Sequence, residues 1–262
     1  MRFNNHTLSR IFLALVFAIF GLIAEGEESV EGSRHQDIVE HLPDFRSIGD
    51  INERKKRFFD YLRPLTETAL NEITRERQRL LKISKKKSLT KEDIRWLKRL
   101  SKKYRLKDEL EHPEDINWDA WLERVDIIPM ELILAQAANE SAWGTSRFAR
   151  EGNNLFGQWC YQQGCGLVPA RRSEDATHEV AVFKTPADSI RNYLLNINRH
   201  QHYRDLRQIR KSIRKQNKPL IAEALALGLL RYSERGERYV ESIQKMISIN
   251  RPLMLGQSVG PS

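Results

Sequence analysis

The chain has 262 residues, of which 40% are hydrophobic and 30% charged, and its formal net charge is +9. This length allows one large domain or a domain with an extension, and the hydrophobic fraction supports a core. A basic chain favours an anionic partner, but nothing beyond composition points to nucleic acid, and we expect no nucleic-acid partner.

The first 24 residues have the pattern of an export signal, since Arg2 and Arg10 accompany an uncharged apolar run over residues 11–24. The run is short for a membrane span. Ala24 is the one small residue at the two preferred cleavage positions, so a retained signal anchor remains the alternative. In both cases we expect export to the periplasm or cell envelope. Anionic wall polymer or an anionic membrane surface would suit the basic charge there, and a solvated basic face is the alternative.

Residues 25–50 are acidic and polar and predict a linker. Residues 51–114 predict a basic helical extension, in which apolar residues recur at threes and fours and Pro64 starts or kinks a segment. Thr90, with Asp93 three residues on, predicts the start of a second helix. We expect this pair of helices to pack against the domain that follows.

Residues 115–250 predict the main domain, and residues 251–262 a frayed tail. A short helix is expected over residues 117–125, and Pro129 fits the first turn of the next one. Residues 179–183 are the best strand candidate, with residues 167–171 as a hairpin partner. Helices are expected to resume over residues 186–198, 203–216, 218–228 and 236–249.

Cys160 and Cys165 are close in sequence. In an oxidising compartment this favours a short-loop disulfide, with two free thiols as the alternative. A zinc site is poorly supported because no second cysteine pair supplies further ligands. We therefore expect no metal site.

Glu140 ends an apolar helical run, and Trp143 follows three residues later. The negative end of the helix dipole and the apolar neighbours both favour the protonated carboxyl, which a general acid requires. Trp143 would stack on a sugar ring or form the cleft wall. The alternative is a glutamate on a solvated helix end, hydrogen-bonded to Ser141.

An Asn-Asn-Leu-Phe-Gly turn over residues 153–157 follows, with Trp159 just beyond it. The turn would place the Asn154 amide and the Phe156 ring beside the acid, a mixture that suits the apolar faces and hydroxyl rims of sugars. The simpler interpretation is an ordinary turn with Phe156 in the core.

The order of Ala135-Gln136-Ala137, Glu140-Ser141, Trp143-Gly144 and the Asn-Asn-Leu-Phe-Gly turn resembles the signature of the bacterial glucosaminidase domain, glycoside hydrolase family 73. The resemblance covers roughly residues 115–250. It implies a mainly α, lysozyme-like α+β domain with a small β-hairpin lobe beside the cleft, here preceded by the helical N-terminal extension. It also implies cleavage of the β-1,4 bond after N-acetylglucosamine in peptidoglycan glycan strands.

The same resemblance assigns roles to residues. The catalytic acid of the family corresponds to Glu140, and the active-site tyrosine to Tyr232, with Tyr239 as the second tyrosine of that motif. Ser233 and Glu234 depart from the usual residues there. Tyr232 as a partly buried core residue is the alternative. Trp143, Asn154, Phe156, Trp159 and Tyr239 are the expected substrate-binding residues.

A second carboxylate is less clearly indicated. Glu174 falls at the expected hairpin tip and is the preferred candidate, with Asp175 and Glu179 as alternatives. Arg171 and Arg172 beside it would contact carboxylates of the peptide stems or remain solvated. Without a second carboxylate, the substrate's own N-acetyl group would act as the nucleophile.

Three functions therefore compete. The first is an N-acetylglucosaminidase with Glu140, Tyr232 and Glu174 as its catalytic residues. The second is a lytic transglycosylase, since that class also uses a Glu-Ser pair on a helix, and the third is a non-catalytic module that binds peptidoglycan. No metal or organic cofactor is implied, because acid groups suffice for glycoside hydrolysis.

Overall fold

The computed structural model describes residues 41–106, 115–170, 177–232 and 235–257, which are mainly helical. The helices are, in chain order, α1 (Ile51–Ile83), α2 (Lys91–Tyr104), α3 (Trp118–Arg124), α4 (Met130–Ser141), α5 (Arg147–Gly152), α6 (Pro186–Arg199), α7 (Arg204–Lys215), α8 (Ala222–Ala226) and α9 (Glu237–Met254). The expected export signal and most of the expected linker lie outside the described residues. Across the segments that are described, no helix is both long and apolar enough to span a bilayer.

Helix α4 lies at the centre of the main core. Its residues from Leu132 to Ala138 are all buried, and the helix packs against α1, α8 and α9. A helix that is apolar on every side is stable only when neighbours surround it. The small Ala135, Ala137 and Ala138 allow those neighbours to approach closely.

The expected helical extension forms α1 and α2. Helix α1 runs unbroken through Pro64, where the sequence predicted a start or a kink. Leu62 and Ala69, on either side of the proline, are buried in the same core as α4, so packing holds the helix together across it. Helix α2 begins with the predicted cap, because Thr90 and Asp93 form a reciprocal capping box.

Residues 41–50 of the expected linker are packed rather than extended. Leu42 and Phe45 are buried in the main core, and the Phe45 ring meets the edge of Phe58 with centroids 5.4 Å apart. Asp50 caps α1 by accepting a hydrogen bond from the Glu53 amide at 2.7 Å. The segment is polar on average, so its composition did not indicate that Leu42 and Phe45 would be buried.

The expected frayed tail is partly wrong, because α9 continues through Pro252 to Met254. Met254 is fully buried. The Arg63 guanidinium of α1 donates to the last carbonyls, at 2.8 Å to Leu253 and 3.0 Å to Met254. Burial and capping from α1 thus fix a turn that sequence alone predicts to fray.

The small β lobe is a three-stranded antiparallel sheet with strand order β1-β3-β2. Its strands are β1 (Trp159–Cys160), β2 (Gly166–Leu167) and β3 (Glu179–Ala181). Gly166 must be glycine, because a Cβ there would lie 2.0 Å from the Val180 carbonyl oxygen. The hairpin of residues 167 and 179–181 was expected, whereas β1 was not. The fold is therefore the mainly α, lysozyme-like type with a small β lobe.

Asp126 joins three parts of the fold through a buried charge network. Its side chain is 2% exposed and accepts two hydrogen bonds from Arg214 of α7, at 3.0 and 3.1 Å. Arg77 of α1 lies 3.4 Å away, and the buried Arg210 of α7 lies 3.9 Å away. One carboxylate thereby ties the extension to the domain that follows it.

Candidate active site

A cleft of about 810 Å³ opens between the β lobe and the ends of α4, α6 and α9. Glu140 lines it, together with four of the other expected site residues: Phe156, Trp159, Tyr232 and Tyr239. Trp143 and Asn154 do not line it. Among the described lining residues, Glu140 is the one carboxylate.

Glu140 lies in the last turn of α4, and its carboxylate is held through one oxygen. The Oε1 atom accepts a hydrogen bond from the Tyr239 hydroxyl at 2.9 Å and another from Asn139 Nδ2 at 3.0 Å. The Oε2 atom has no hydrogen-bond partner among the described residues. One oxygen is thus anchored, while the other is left for a ligand in the cleft.

A buried polar chain stands behind this carboxylate. Tyr193 donates to Gln136 Oε1, and Gln136 Nε2 donates to the Tyr239 hydroxyl at 3.0 Å. Gln136 is fully buried and precedes Glu140 by one helical turn, so both side chains lie on one face of α4. These buried hydrogen bonds therefore fix the position of the Tyr239 hydroxyl, which in turn fixes the Glu140 carboxylate.

The tyrosines around Glu140 are held in the neutral form. Burial is the main cause that raises the pKa of Tyr239 far above its usual value, and the neighbouring Tyr232 and Glu140 raise it further. Burial also raises the pKa values of Tyr193, Tyr203 and Tyr232, and the Glu140 charge adds to each shift. These hydroxyls can therefore act as hydrogen-bond donors throughout the neutral range.

Tyr239 was expected to bind substrate, but it is only 2% exposed, and its hydroxyl contacts Glu140 directly. Tyr232 is half-buried. It donates a hydrogen bond to the Phe156 carbonyl at 3.3 Å, and its ring lies 5.1 Å from that of Tyr239. The geometry makes Tyr239 a positioning residue, and it leaves Tyr232 at the wall of the cleft.

The Asn-Asn-Leu-Phe-Gly turn is built mainly by its own amides. Asn154 is 1% exposed; its Nδ2 donates to the Gln158 and Ala181 carbonyls at 2.9 and 2.8 Å, and its Oδ1 accepts from the Gln158 amide at 3.0 Å. Asn153 adopts a left-handed conformation that ends α5. Asn154 thus joins the turn to the β lobe and is not free to bind a sugar.

Phe156 reaches the cleft from the core. Its ring is buried and stacks on the Tyr193 ring at a centroid distance of 3.9 Å and an interplanar angle of 8°. Because Tyr193 also donates to Gln136, the stacked pair connects the turn to the buried hydrogen bonds behind Glu140.

Trp159 is the exposed aromatic wall of the cleft. It is 58% exposed, and its ring stacks on His178 at 4.1 Å. The predicted disulfide between Cys160 and Cys165 is present and closes the loop next to it. Glu179, a candidate second carboxylate, is buried in this lobe and accepts the Gly164 and Gly166 amides at 3.0 and 2.8 Å. Its carboxylate therefore holds the loop and does not line the cleft.

Trp143 lies on the other side of α4, against the extension. Its ring meets the edges of Phe58 and Phe59 at 5.8 and 5.4 Å. Ala142, Trp143 and Gly144 all have positive φ, at 49°, 60° and 75°, so the chain turns sharply at the end of α4. This turn directs Trp143 away from the cleft, although it is only three residues from Glu140.

Glu174, Asp175, Arg171, Arg172, Ser233 and Glu234 lie outside the described residues. Sequence reasoning gave no role to Gln136, Asn139 or Tyr193, which the structure brings to Glu140. The signal for Gln136 was available, because it is a polar residue in an apolar helix at the i−4 position from Glu140. Tyr193 gave no such signal, because its pairing with Gln136 spans 57 residues.

The fold and the cleft define a mainly helical, lysozyme-like domain with an open cleft beside its small β lobe. The glucosaminidase family, described as mannosyl-glycoprotein endo-β-N-acetylglucosaminidase, matches residues 117–251. The chain is also similar to Protein bax of Escherichia coli (strain K12), with 32% identity over 224 residues that cover 86% of this chain and 80% of the relative. The chain belongs to the glucosaminidase family, as its motifs predicted. No solved structure matches it.

Proposed function

We propose that this protein is an exported peptidoglycan hydrolase that cleaves the β-1,4 bond after N-acetylglucosamine. Membership of the glucosaminidase family supports a glycoside hydrolase acting on a glycan. The observation that carries the proposal is the state of Glu140, which lies in an open cleft with Oε1 anchored and Oε2 unpaired among the described residues.

In this proposal Glu140 is the general acid. Oε1 already accepts hydrogen bonds from Tyr239 and Asn139, so the transferable proton is carried on Oε2. Oε2 donates that proton to the glycosidic oxygen as the bond to the anomeric carbon breaks. The anchored oxygen keeps the donor in one orientation during the transfer, which reduces the entropic part of the barrier.

Departure of the leaving group also needs a group that stabilises or attacks the anomeric carbon, and a water molecule then adds to that carbon to give the reducing N-acetylglucosamine end. We assign this role to Glu174, which lies outside the described residues, with the substrate's N-acetyl group as the alternative nucleophile. Glu179 is excluded from the role because two loop amides occupy its carboxylate. Tyr232 lines the cleft beside Phe156 and is proposed to hydrogen-bond the sugar next to the cleaved bond.

Trp159 is proposed to hold a sugar by stacking. Its ring is largely exposed at the cleft, and one face of the ring stacks on His178. The exposed part of the ring can pack against the apolar face of a pyranose. The Phe156 ring contributes a smaller apolar patch deeper in the cleft.

The decisive experiment is Glu140→Gln, assayed on gels that contain cell-wall material. Glutamine keeps the size of the side chain but cannot transfer a proton, so we expect activity to fall about 10²- to 10⁴-fold. The matched control is Glu67→Gln on α1, an exposed glutamate outside the cleft. Full activity of a folded Glu140→Gln variant would refute the proposal.

Mass spectrometry of the products separates the competing functions. Reducing N-acetylglucosamine ends support the glucosaminidase assignment, whereas 1,6-anhydromuramic ends would replace it with lytic transglycosylase activity. Retention of wall material without release of soluble sugar would identify a binding module.

The disulfide between Cys160 and Cys165 supports export to an oxidising compartment, which we take to be the periplasm or cell envelope. N-terminal sequencing of the mature protein checks whether residues 1–24 are removed or retained as an anchor. A mature chain that begins near residue 25 supports cleavage.

A further inference from the structure

One end of the cleft is lined by basic side chains. They are Arg105, Arg199, His200 and His202, which we call the basic end. Arg105 belongs to the helical extension, at the end of α2, whereas the others lie at the end of α6 and just beyond it. The extension therefore contributes directly to the cleft that contains Glu140.

The charges of the basic end are not neutralised within the described structure. The Arg105 side chain is exposed and makes no hydrogen bond or ion pair with any residue that the structure describes. Arg199 donates to the Lys103 carbonyl through Nη1 at 3.5 Å, but its buried Nε has no partner in the same parts of the chain. A buried N–H without an acceptor is costly, so the described residues leave part of the hydrogen-bonding capacity of Arg199 unused.

The two arginines of the basic end also repel one another, and their charges act on His200 as well. Burial lowers the pKa of Arg199, and the neighbouring Arg105 lowers it further. Burial is the main cause that lowers the pKa of His200, and the neighbouring His202 and Arg105 lower it further. Glu140, the one carboxylate among the described lining residues, is held by Tyr239 and Asn139. An anion bound at this end would relieve the repulsion.

We propose that the basic end binds a carboxylate carried by the glycan, so that Arg105 of the extension selects acidic over neutral polymers. This inference rests on the proposed glycan-cleaving function of the same cleft. Guanidinium groups suit a carboxylate because their paired N–H donors match its two oxygens. In peptidoglycan, such a carboxylate belongs either to the stem peptide or, where the peptide has been removed, to the lactyl group of muramic acid.

The test measures binding in the Glu140→Gln background, so that no polymer is consumed. Arg105→Asn removes the cation and retains a residue that tolerates the left-handed conformation found there, at φ 53°. Arg199→Gln is the second variant. Arg99→Ala is the matched control, because it removes one exposed charge from the same helix outside the cleft.

Three ligands are compared by calorimetry: solubilised peptide-bearing strands, strands freed of peptide, and a neutral chitin oligosaccharide. We expect Arg105→Asn and Arg199→Gln each to weaken binding of a carboxylated strand about tenfold, which corresponds to about 1.4 kcal/mol. Binding of the neutral oligosaccharide should change less than about twofold. The strand that loses affinity identifies the carboxylate source.

Equal affinity of both variants and the control for all carboxylated strands would overturn the proposal. An equal loss of affinity for the neutral oligosaccharide would also overturn it, because the residues would then shape the cleft without recognising the charge of the ligand. Since binding is measured without turnover, these results are independent of whether the wild-type protein digests cell walls. Thermal unfolding of each variant verifies that it is folded.

Discussion

The Tyr239 hydroxyl is the contact on which the orientation of Glu140 depends. It donates to Glu140 and accepts from Gln136, so its two hydrogen bonds join the carboxylate to the buried chain. A neutral tyrosine suits this place because burial disfavours its ionised form. Residue by residue, the carboxylate proposed as the general acid is held by a neutral tyrosine and by amide groups.

Tyr239→Phe should reduce kcat more than it changes KM. The variant loses a hydrogen bond to the carboxylate, worth about 1.5–3 kcal/mol, and leaves Gln136 Nε2 without its acceptor. If that loss falls on the transition state, kcat decreases about 10- to 100-fold. Steady-state kinetics on solubilised glycan strands measures the two parameters separately.

Tyr61→Phe is the control for Tyr239→Phe. The Tyr61 hydroxyl is buried and has no partner within the described parts of the chain, so its removal should not lower the free energy of unfolding and should leave activity unchanged. If Tyr239→Phe also retains full kcat, Tyr239 does not position the acid.

At this scale the sequence was informative about Glu140 and less so about its surroundings. Glu140 was singled out because it ends an apolar run and because the family resemblance includes it, and the structure places it in the cleft. Trp143 and Asn154 were given roles in sugar binding because of their nearness in sequence. Three positive φ angles turn Trp143 onto α1, and the Asn154 amide is used by the turn itself. Neither local conformation can be read from residue spacing.

At the scale of elements, the β lobe presents Trp159 to the cleft. Two constraints act on the loop beside it: the disulfide between Cys160 and Cys165, and the Glu179 carboxylate bound to the Gly164 and Gly166 amides. The strands themselves are only two or three residues long and cannot hold this loop alone. The cross-link and the carboxylate supply the missing rigidity.

Replacing both cysteines with serine should loosen this lobe and weaken glycan binding. Closing so short a loop is worth roughly 2 kcal/mol, and the melting temperature should fall by about 4–8 °C. Amide hydrogen exchange at Gly164 and Gly166 should become faster, while that of α4 stays unchanged. Wild-type protein treated with reductant should match the variant, and the variant itself should not respond to reductant. Unchanged exchange in the loop would show that Glu179 alone is sufficient.

The start of α2 was predictable because Thr90 caps it, and α3 begins one residue after the predicted start at Asn117. The prediction was wrong where tertiary contacts override local preference: no helix starts at Pro64 within α1, and α9 continues through Pro252. Helix α5, of only six residues, was missed because so short a segment shows no apolar period.

For the molecule as a whole, α1 belongs to the same core as the helices that carry the site. Phe58, Phe59 and Leu62 are buried in one cluster with residues of α4, α6 and α9. Sequence patterning identified the extension and its packing role. It did not predict this sharing of one core, because amphipathic periodicity tells which face is buried and not against which partner.

The segment that matches the family, residues 117–251, is therefore not expected to fold alone. A shortened chain that begins at residue 115 loses Phe58, Phe59 and Leu62, whose burial is worth about 1.5–3 kcal/mol each, against a typical total stability of about 5–15 kcal/mol. It also loses Arg77 from the Asp126 network. Asp126 would keep Arg214 and Arg210 but would lose one of its three cationic neighbours, which would destabilise the shortened chain further.

We expect the chain that begins at residue 115 to lack a cooperative thermal transition and to bind a hydrophobic dye, and a chain that begins at residue 41 to melt cooperatively. The difference has a functional side, because the packing of Phe58 and Phe59 on Trp143 supports the strained turn that ends the Glu140 helix. Without that support the turn would relax and Glu140 would lose its fixed orientation.

Calorimetry and wall digestion of both chains check this. A shorter chain that melts cooperatively and retains full activity would show that α1 only covers the domain, and that the acid is positioned without it.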